Sequence, residues 1–170
     1  MKHQDNLYCS SLKISGILFK VYTSQKGIRS IYFGSKDAKV KPTSLTKLHP
    51  DDPYMFNVFT ELKEYFNGDR KKFTVPLDVV GTEFQKKVWN ELLKIPYGKL
   101  KTYKDIALKL GNIHGFRAVG RANSTNHIPI IIPCHRVIAS DGKLGGYAGG
   151  ISLKEKLLEL EGSLSLELFE

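Results

Sequence analysis

Ile128-Pro129-Ile130-Ile131-Ile132-Pro133-Cys134-His135-Arg136-Val137 sets an almost unbroken apolar run against a thiol, an imidazole and a guanidinium. The run is too hydrophobic to lie anywhere but inside. It reads as a buried strand that delivers Cys134, His135 and Arg136 together at its end. Cysteine is a nucleophile only as thiolate, and imidazole or cationic neighbours lower its pKa. Cys134 is therefore a candidate nucleophile on a rigid element. The alternative at this point is a small core residue, since free cysteine is among the most buried types.

Beyond this stretch, Leu153–Leu160 has helical periodicity up to Gly162. Upstream of it the period is helical as well. Gly81 or Thr82 can cap a helix bearing Phe84, Val88, Trp89, Leu92 and Leu93, closed by Pro96-Tyr97-Gly98. Thr102 opens another, with Ile106, Ala107 and Leu110 on one face, ending at Gly111-Asn112. A third runs from about Gly115 to Asn123. Two short helices around a glycine turn suit a helix-turn-helix, with a plain helical hairpin as the other solution.

Before residue 80 the pattern changes. Residues 7–34 alternate apolar and polar in short runs, punctuated by Gly16 and Gly27, as an antiparallel meander does. Residues 36–51 are polar, hold Pro42 and Pro50, and read as a loop. Asp52-Pro53 starts a helix through Met55, Val58, Phe59, Leu62, Tyr65 and Phe66, stopped by Asn67-Gly68. Lys71–Leu77 reads as one more strand before a linker at Asp78–Gly81. The expected class is α+β: an N-terminal antiparallel-sheet and helix domain over 1–78, then a mainly helical C-terminal domain over 79–170 that carries the helix-turn-helix and the cysteine.

The chain has 170 residues and a formal charge of +9, which favours polyanionic partners. Its distribution is telling. Residues 81–143 hold eleven Lys/Arg against four Asp/Glu, whereas residues 144–170 hold two against five. Basic charge thus surrounds the candidate nucleophile. No apolar run approaches the roughly 20 residues of a membrane span, and the first residues lack a secretory signal's apolar core. With only Cys9 and Cys134, a reducing compartment is expected, the cytoplasm. No metal site is expected, because Cys9 has no accompanying ligand spacing.

The pentapeptide Pro133–Val137, with Gly145-Gly146-Tyr147-Ala148-Gly149-Gly150 after it and Arg117-Ala118-Val119-Gly120 before it, resembles the O6-alkylguanine-DNA alkyltransferases, also called methylated-DNA–protein-cysteine methyltransferases. The likeness is close from about Thr82 to Gly162, with Phe84, Trp89, Tyr97-Gly98 and Tyr103 in register. Before Pro76 it is general, as for the family's variable N-terminal domain. The resemblance implies that Cys134 accepts the alkyl group, that His135 deprotonates it through a water, and that Glu161 orients His135. It implies that Asn126 buttresses the active-site turn and that Tyr103 helps protonate the leaving guanine. Arg117 corresponds to an arginine that fills the place of the extruded base. Ala118, Gly120, Arg121, Thr102, Tyr103 and Arg136 fall among the implied DNA contacts, and Tyr147, Ala148, Gly149, Pro129 and Phe84 in the implied substrate pocket. Ala148 departs from relatives with serine there, and Phe116 and Arg121 depart from relatives with small residues.

The implied activity is DNA repair by direct reversal: stoichiometric, irreversible transfer of the alkyl group, methyl above all, from O6-alkylguanine, and from O4-alkylthymine, to Cys134. No cofactor is implied. The partner is duplex DNA, entered from the minor groove with the base flipped out, and the acting form is a monomer. Two other classes stay open at this point. A cysteine-free lesion-binding relative is opposed by Cys134, and a helix-turn-helix regulator by the absence of a sensor domain.

Overall fold

The computed structural model describes residues 6–34, 44–112 and 114–164, which fall into two compact units, Met1–Val80 and Gly81–Glu170. In the first unit the alternating segments form strands β1 (Asn6–Ile14), β2 (Ile17–Ser24) and β3 (Gly27–Phe33), paired antiparallel in sequence. Helix α1 (Pro53–Phe66) starts where Asp52 accepts a hydrogen bond from the Tyr54 N–H, with Pro53 in the first turn. It buries Met55, Val58, Phe59, Leu62 and Tyr65, and packs against β1 and β2, whose core includes Phe19 and Val21.

Two expectations for this unit need correction. Within the stretch read as a loop, Ser44–Lys47 form β4, parallel to the outer edge of β1, giving the order β3-β2-β1-β4. The strand is exposed throughout, so it carries no apolar pattern to announce it; residues 35–43 lie outside the described residues. Lys71–Leu77 is not a strand, and only Leu77 bridges, to Ile28. The reason is where its donors go: Glu61's carboxylate accepts from the N–H groups of Thr74 (2.8 Å) and Val75 (3.3 Å), and Pro76 has none.

In the second unit, α2 (Glu83–Leu93) is capped by Thr82 in a reciprocal capping box with Gln85, which decides between Gly81 and Thr82. Thr102 and Asp105 repeat the device for α3 (Tyr103–Lys109), just after the two-residue strand β5 (Lys101–Thr102). Helix α4 (Phe116–Ser124) packs on α2 and α3, and the Trp89 indole donates to Ala122 O at 2.9 Å. Helix α5 (Ile151–Leu160) closes the unit. Strand β6 (Val137–Ile138) pairs parallel with β5. Among the described residues no helix is long and apolar enough to cross a membrane.

The Ile128–Ile132 run is buried, as expected, yet it is not a strand. It folds into a tight turn in which Ile132 N donates to Ile128 O at 2.9 Å and Ile130 takes φ 74°. That conformation is strained for a β-branched residue. Proline at 129 and 133 removes two ladder donors, and Asn126 supplies the polar partners a strand neighbour would have given.

Candidate active site

Cys134 begins a single 3-10 turn, Cys134–Arg136, directly after this buried turn, and is 3% exposed. Asn126 organises the approach. Its Oδ1 accepts from Ile128 N at 3.0 Å, and its Nδ2 donates to Ile132 O at 2.8 Å and to Cys134 Sγ at 3.0 Å. Asn123, at the end of α4, donates to the Cys134 carbonyl at 3.4 Å. An amide N–H aimed at sulfur favours the thiolate, as does the charge of Lys154, but burial outweighs both and pushes the thiol up to about 11. The resting group is thus a thiol, in keeping with the implied role of His135 in taking its proton.

Beside it, His135 is fully buried, and its Nε2 lies 2.9 Å from Glu161 Oε1. A carboxylate offers no proton, so Nε2–H is the donor and Nδ1 keeps the lone pair. Nδ1 is buried with no hydrogen-bond partner among the described residues. Burial holds His135 below its ordinary value against the pull of Glu161, and the charges of Arg136 and Lys154 add to the lowering. The Arg136 guanidinium donates from Nε to Oε2 (2.8 Å) and from Nη2 to Oε1 (2.9 Å), and from Nη1 to Ile95 O at 2.6 Å. Gly98 N adds a fourth donor, 3.2 Å from Oε2. Burial alone would raise Glu161, but hydrogen bonds from His135 and Arg136 hold it at about 2. Gly98 is required here: its φ is 73°, and a Cβ would stand 2.9 Å from Glu161 O.

Lys154 escaped sequence reasoning. It is wholly buried in α5 and donates from Nζ to Val137 O at 2.7 Å and to Leu144 O. It thereby ties the strand after the cysteine to the start of the glycine-rich segment. Burial lowers its ammonium to about 8 despite the attraction of Cys134. A signal existed: Lys154, Leu157, Leu158 and Glu161 stand at i, i+3, i+4 and i+7, so two charges share the apolar stripe.

The remaining predicted residues separate into groups. Tyr103 is half-buried, with its hydroxyl 3.0 Å from where a Gly145 Cβ would stand and its ring 3.9 Å from that of Gly120. Burial and the nearby Cys134 charge both raise its phenol. The Tyr147 ring meets His135 edge-on, centroids 6.4 Å apart. Pro129 is buried in the turn, Gly149 is half-buried and Ala148 is exposed. Phe84 is 39% exposed in the first turn of α2. Arg117, Ala118 and Arg121 are exposed on α4, with Gly120 half-buried, and Thr102 caps α3. Arg136, read from the sequence as a DNA contact, is corrected: 6% exposed and committed to Glu161 and Ile95, it has no guanidinium face for a phosphate.

Residues 83–163 match the family described as the 6-O-methylguanine DNA methyltransferase DNA-binding domain, and residues 18–79 match its ribonuclease-like domain. The methylated-DNA–protein-cysteine methyltransferase of Methanosarcina acetivorans is 46% identical over 140 residues, 82% of this chain and 88% of that protein. The inducible methylated-DNA–protein-cysteine methyltransferase of Bacillus subtilis is 38% identical over an alignment of 176 residues, 98% of this chain and 96% of that one. The crystal structure of Mycobacterium tuberculosis OGT in complex with DNA superposes with a TM-score of 0.84 at 36% identity, covering 96% of this chain and 99% of that one.

Proposed function

The chain belongs to the methylated-DNA–protein-cysteine methyltransferases, and from that premise we propose that Cys134 removes the alkyl group of O6-alkylguanine, and of O4-alkylthymine, from duplex DNA in a single irreversible event. His135, neutral and anchored through Nε2–H, takes the thiol proton at Nδ1 through a bridging water, the relay the family resemblance implies. Asn126 Nδ2 holds the sulfur lone pairs in place. Sγ attacks the alkyl carbon in line, the carbon–oxygen bond breaks, and its electron pair returns to the guanine. The Tyr103 hydroxyl supplies a proton to the leaving base. The product is a thioether with no easy reversal, so each molecule acts once.

A base inside a duplex is out of reach, so the nucleotide must be extruded, at a cost of a few kcal/mol. The exposed, small-residue face of α4 with Arg117 and Arg121 suits the minor groove, and Arg117 suits the gap left by the base. Affinity then depends on phosphates and salt rather than sequence. Residues 79–170 carry both DNA binding and transfer, and residues 1–78 support them. Both cysteines are buried and not disulfide-bonded, which supports a reducing compartment, the cytoplasm. A single helix-turn-helix supports action as a monomer.

The observation that carries this reading is the buried Asn126–Cys134 contact beside a histidine with one nitrogen anchored and the other without a hydrogen-bond partner among the described residues. Intact mass after incubation with DNA containing O6-methylguanine tests it. A gain of one methylene, mapped to Cys134, supports transfer; an unchanged mass refutes it.

A further inference from the structure

Phe116 opens α4 and is 45% exposed at the edge of its outer face, whereas Val119, Ala122 and Asn123 of the same helix are buried. A phenylalanine left in water contributes little to the fold. The Arg117 guanidinium lies over its ring, 5.9 Å from the centroid. Gly120 stands four residues after Phe116 and three after Arg117, so the three share the outer stripe of the helix with Arg121. Gly120 has no side chain, and the Tyr103 ring rests against it. Along this stripe the helix therefore presents an aromatic ring, a guanidinium and a gap that ends at Tyr103. A flat apolar ring beside cations is the chemistry that stacks on nucleobases, and apolar wedges between base steps are a recurrent device of minor-groove proteins.

We propose that Phe116 is a second wedge. Its ring packs against the base pair flanking the extruded nucleotide, and the Arg117 guanidinium parked on it passes into the vacated stack. The inference rests on the reading that α4 meets DNA and that the base leaves the duplex. It differs from a phosphate contact because the ring carries no charge, so the salt dependence of binding stays as it is. It differs from a core role because the ring is half in water, so thermal unfolding of Phe116→Ala stays at the wild-type temperature.

Single-turnover repair at saturating protein tests the idea, with duplex O6-methylguanine and free O6-benzylguanine as parallel substrates. Phe116→Ala is expected to slow the duplex reaction about tenfold, the scale of one lost base–aromatic stack, and to leave the free-base reaction unchanged. Phe116→Trp is expected to restore the duplex rate. The double variant with Arg117→Ala is expected to lose less than the product of the two single losses, because ring and guanidinium act on one gap. Wild-type duplex repair by Phe116→Ala, or equal losses on both substrates, overturns the proposal. If Arg117→Ala alone shows a duplex-specific loss, only the role of Phe116 falls. If neither does, the extrusion reading falls with it.

Discussion

Replacing Glu161 with Gln changes one atom of a site that four donors converge on. His135 Nε2 and Arg136 Nη2 meet Oε1, and Arg136 Nε and Gly98 N meet Oε2. An amide has one oxygen, and its NH2 group must then face donors. The guanidinium of Arg136 also loses its counter-charge while 6% exposed. Breaking a buried pair from one side costs about 3–5 kcal/mol, so Glu161→Gln should unfold at correspondingly lower denaturant. A second readout isolates the charge. The folded carboxyl sits at about 2 against an ordinary 4.5, so the stability it contributes is complete above the ordinary value and is lost as pH falls from there towards 2. That difference is worth about 3 kcal/mol. Denaturant melts of wild type and variant across that window should show a larger acid-labile step in the wild type, because Asp78 and Asp105, also held below their ordinary value, keep their share in both. Transfer should slow as well, since one amide oxygen cannot serve both sides of the site and His135 competes with Arg136 and Gly98 for it. A variant as stable as wild type at neutral pH, or one with the same acid step, would refute the assignment of Glu161 as the paired anchor.

Cys134→Ser should lose transfer altogether while binding lesion DNA about as well as wild type; alkyl found on the variant by mass would mean another residue is the acceptor. Arg117→Ala should slow duplex repair at saturation without slowing reaction with free O6-benzylguanine, and matched losses would place Arg117 in the pocket. Lys154→Met removes the charge that favours the thiolate, so in a Cys9→Ser background the Cys134 titration, followed by ultraviolet thiolate absorbance, should move above about 11. The same change leaves the carbonyls of Val137 and Leu144 without their donor and should destabilise the fold by about 1–3 kcal/mol. An unmoved thiol titration would show that Lys154 acts only as a strut.

What the sequence made legible follows from which interactions are local. Capping boxes at Thr82 and Thr102 join residues three apart, and the α1 and α2 stripes repeat within a turn, so starts and faces of helices were readable. The resemblance supplied the register of the cysteine, histidine, asparagine and glutamate that the structure brings together. The failures share a cause: in each, a side chain distant in sequence decides the backbone or the charge. Glu61 takes the donors of Thr74 and Val75 and so prevents a strand thirteen residues away. Asn126 satisfies the turn at Ile128–Ile132, where hydrophobicity alone suggests extension. Arg136 reads as a surface cation until Glu161, 25 residues on, draws it inward. Lys154 left only a trace, as a charge on the apolar stripe that it shares with Glu161.

The thiol at about 11 explains how a single-use acceptor survives until it is needed. At neutral pH the thiolate is therefore the minor form. An exposed cysteine with a lowered pKa would react faster, but it would also be spent on any oxidant or electrophile it met. Burial therefore separates storage from attack. It suppresses the thiolate, and Asn126 and Lys154 limit that suppression without reversing it. The proton then needs a base already inside, and Nδ1 of His135, buried and without a hydrogen-bond partner among the described residues, suits that part. Burial is the main influence that keeps His135 uncharged, and the Arg136 charge adds to it against the pull of Glu161. The guanidinium of Arg136, held on Glu161, thus assists burial in leaving the histidine able to accept a proton.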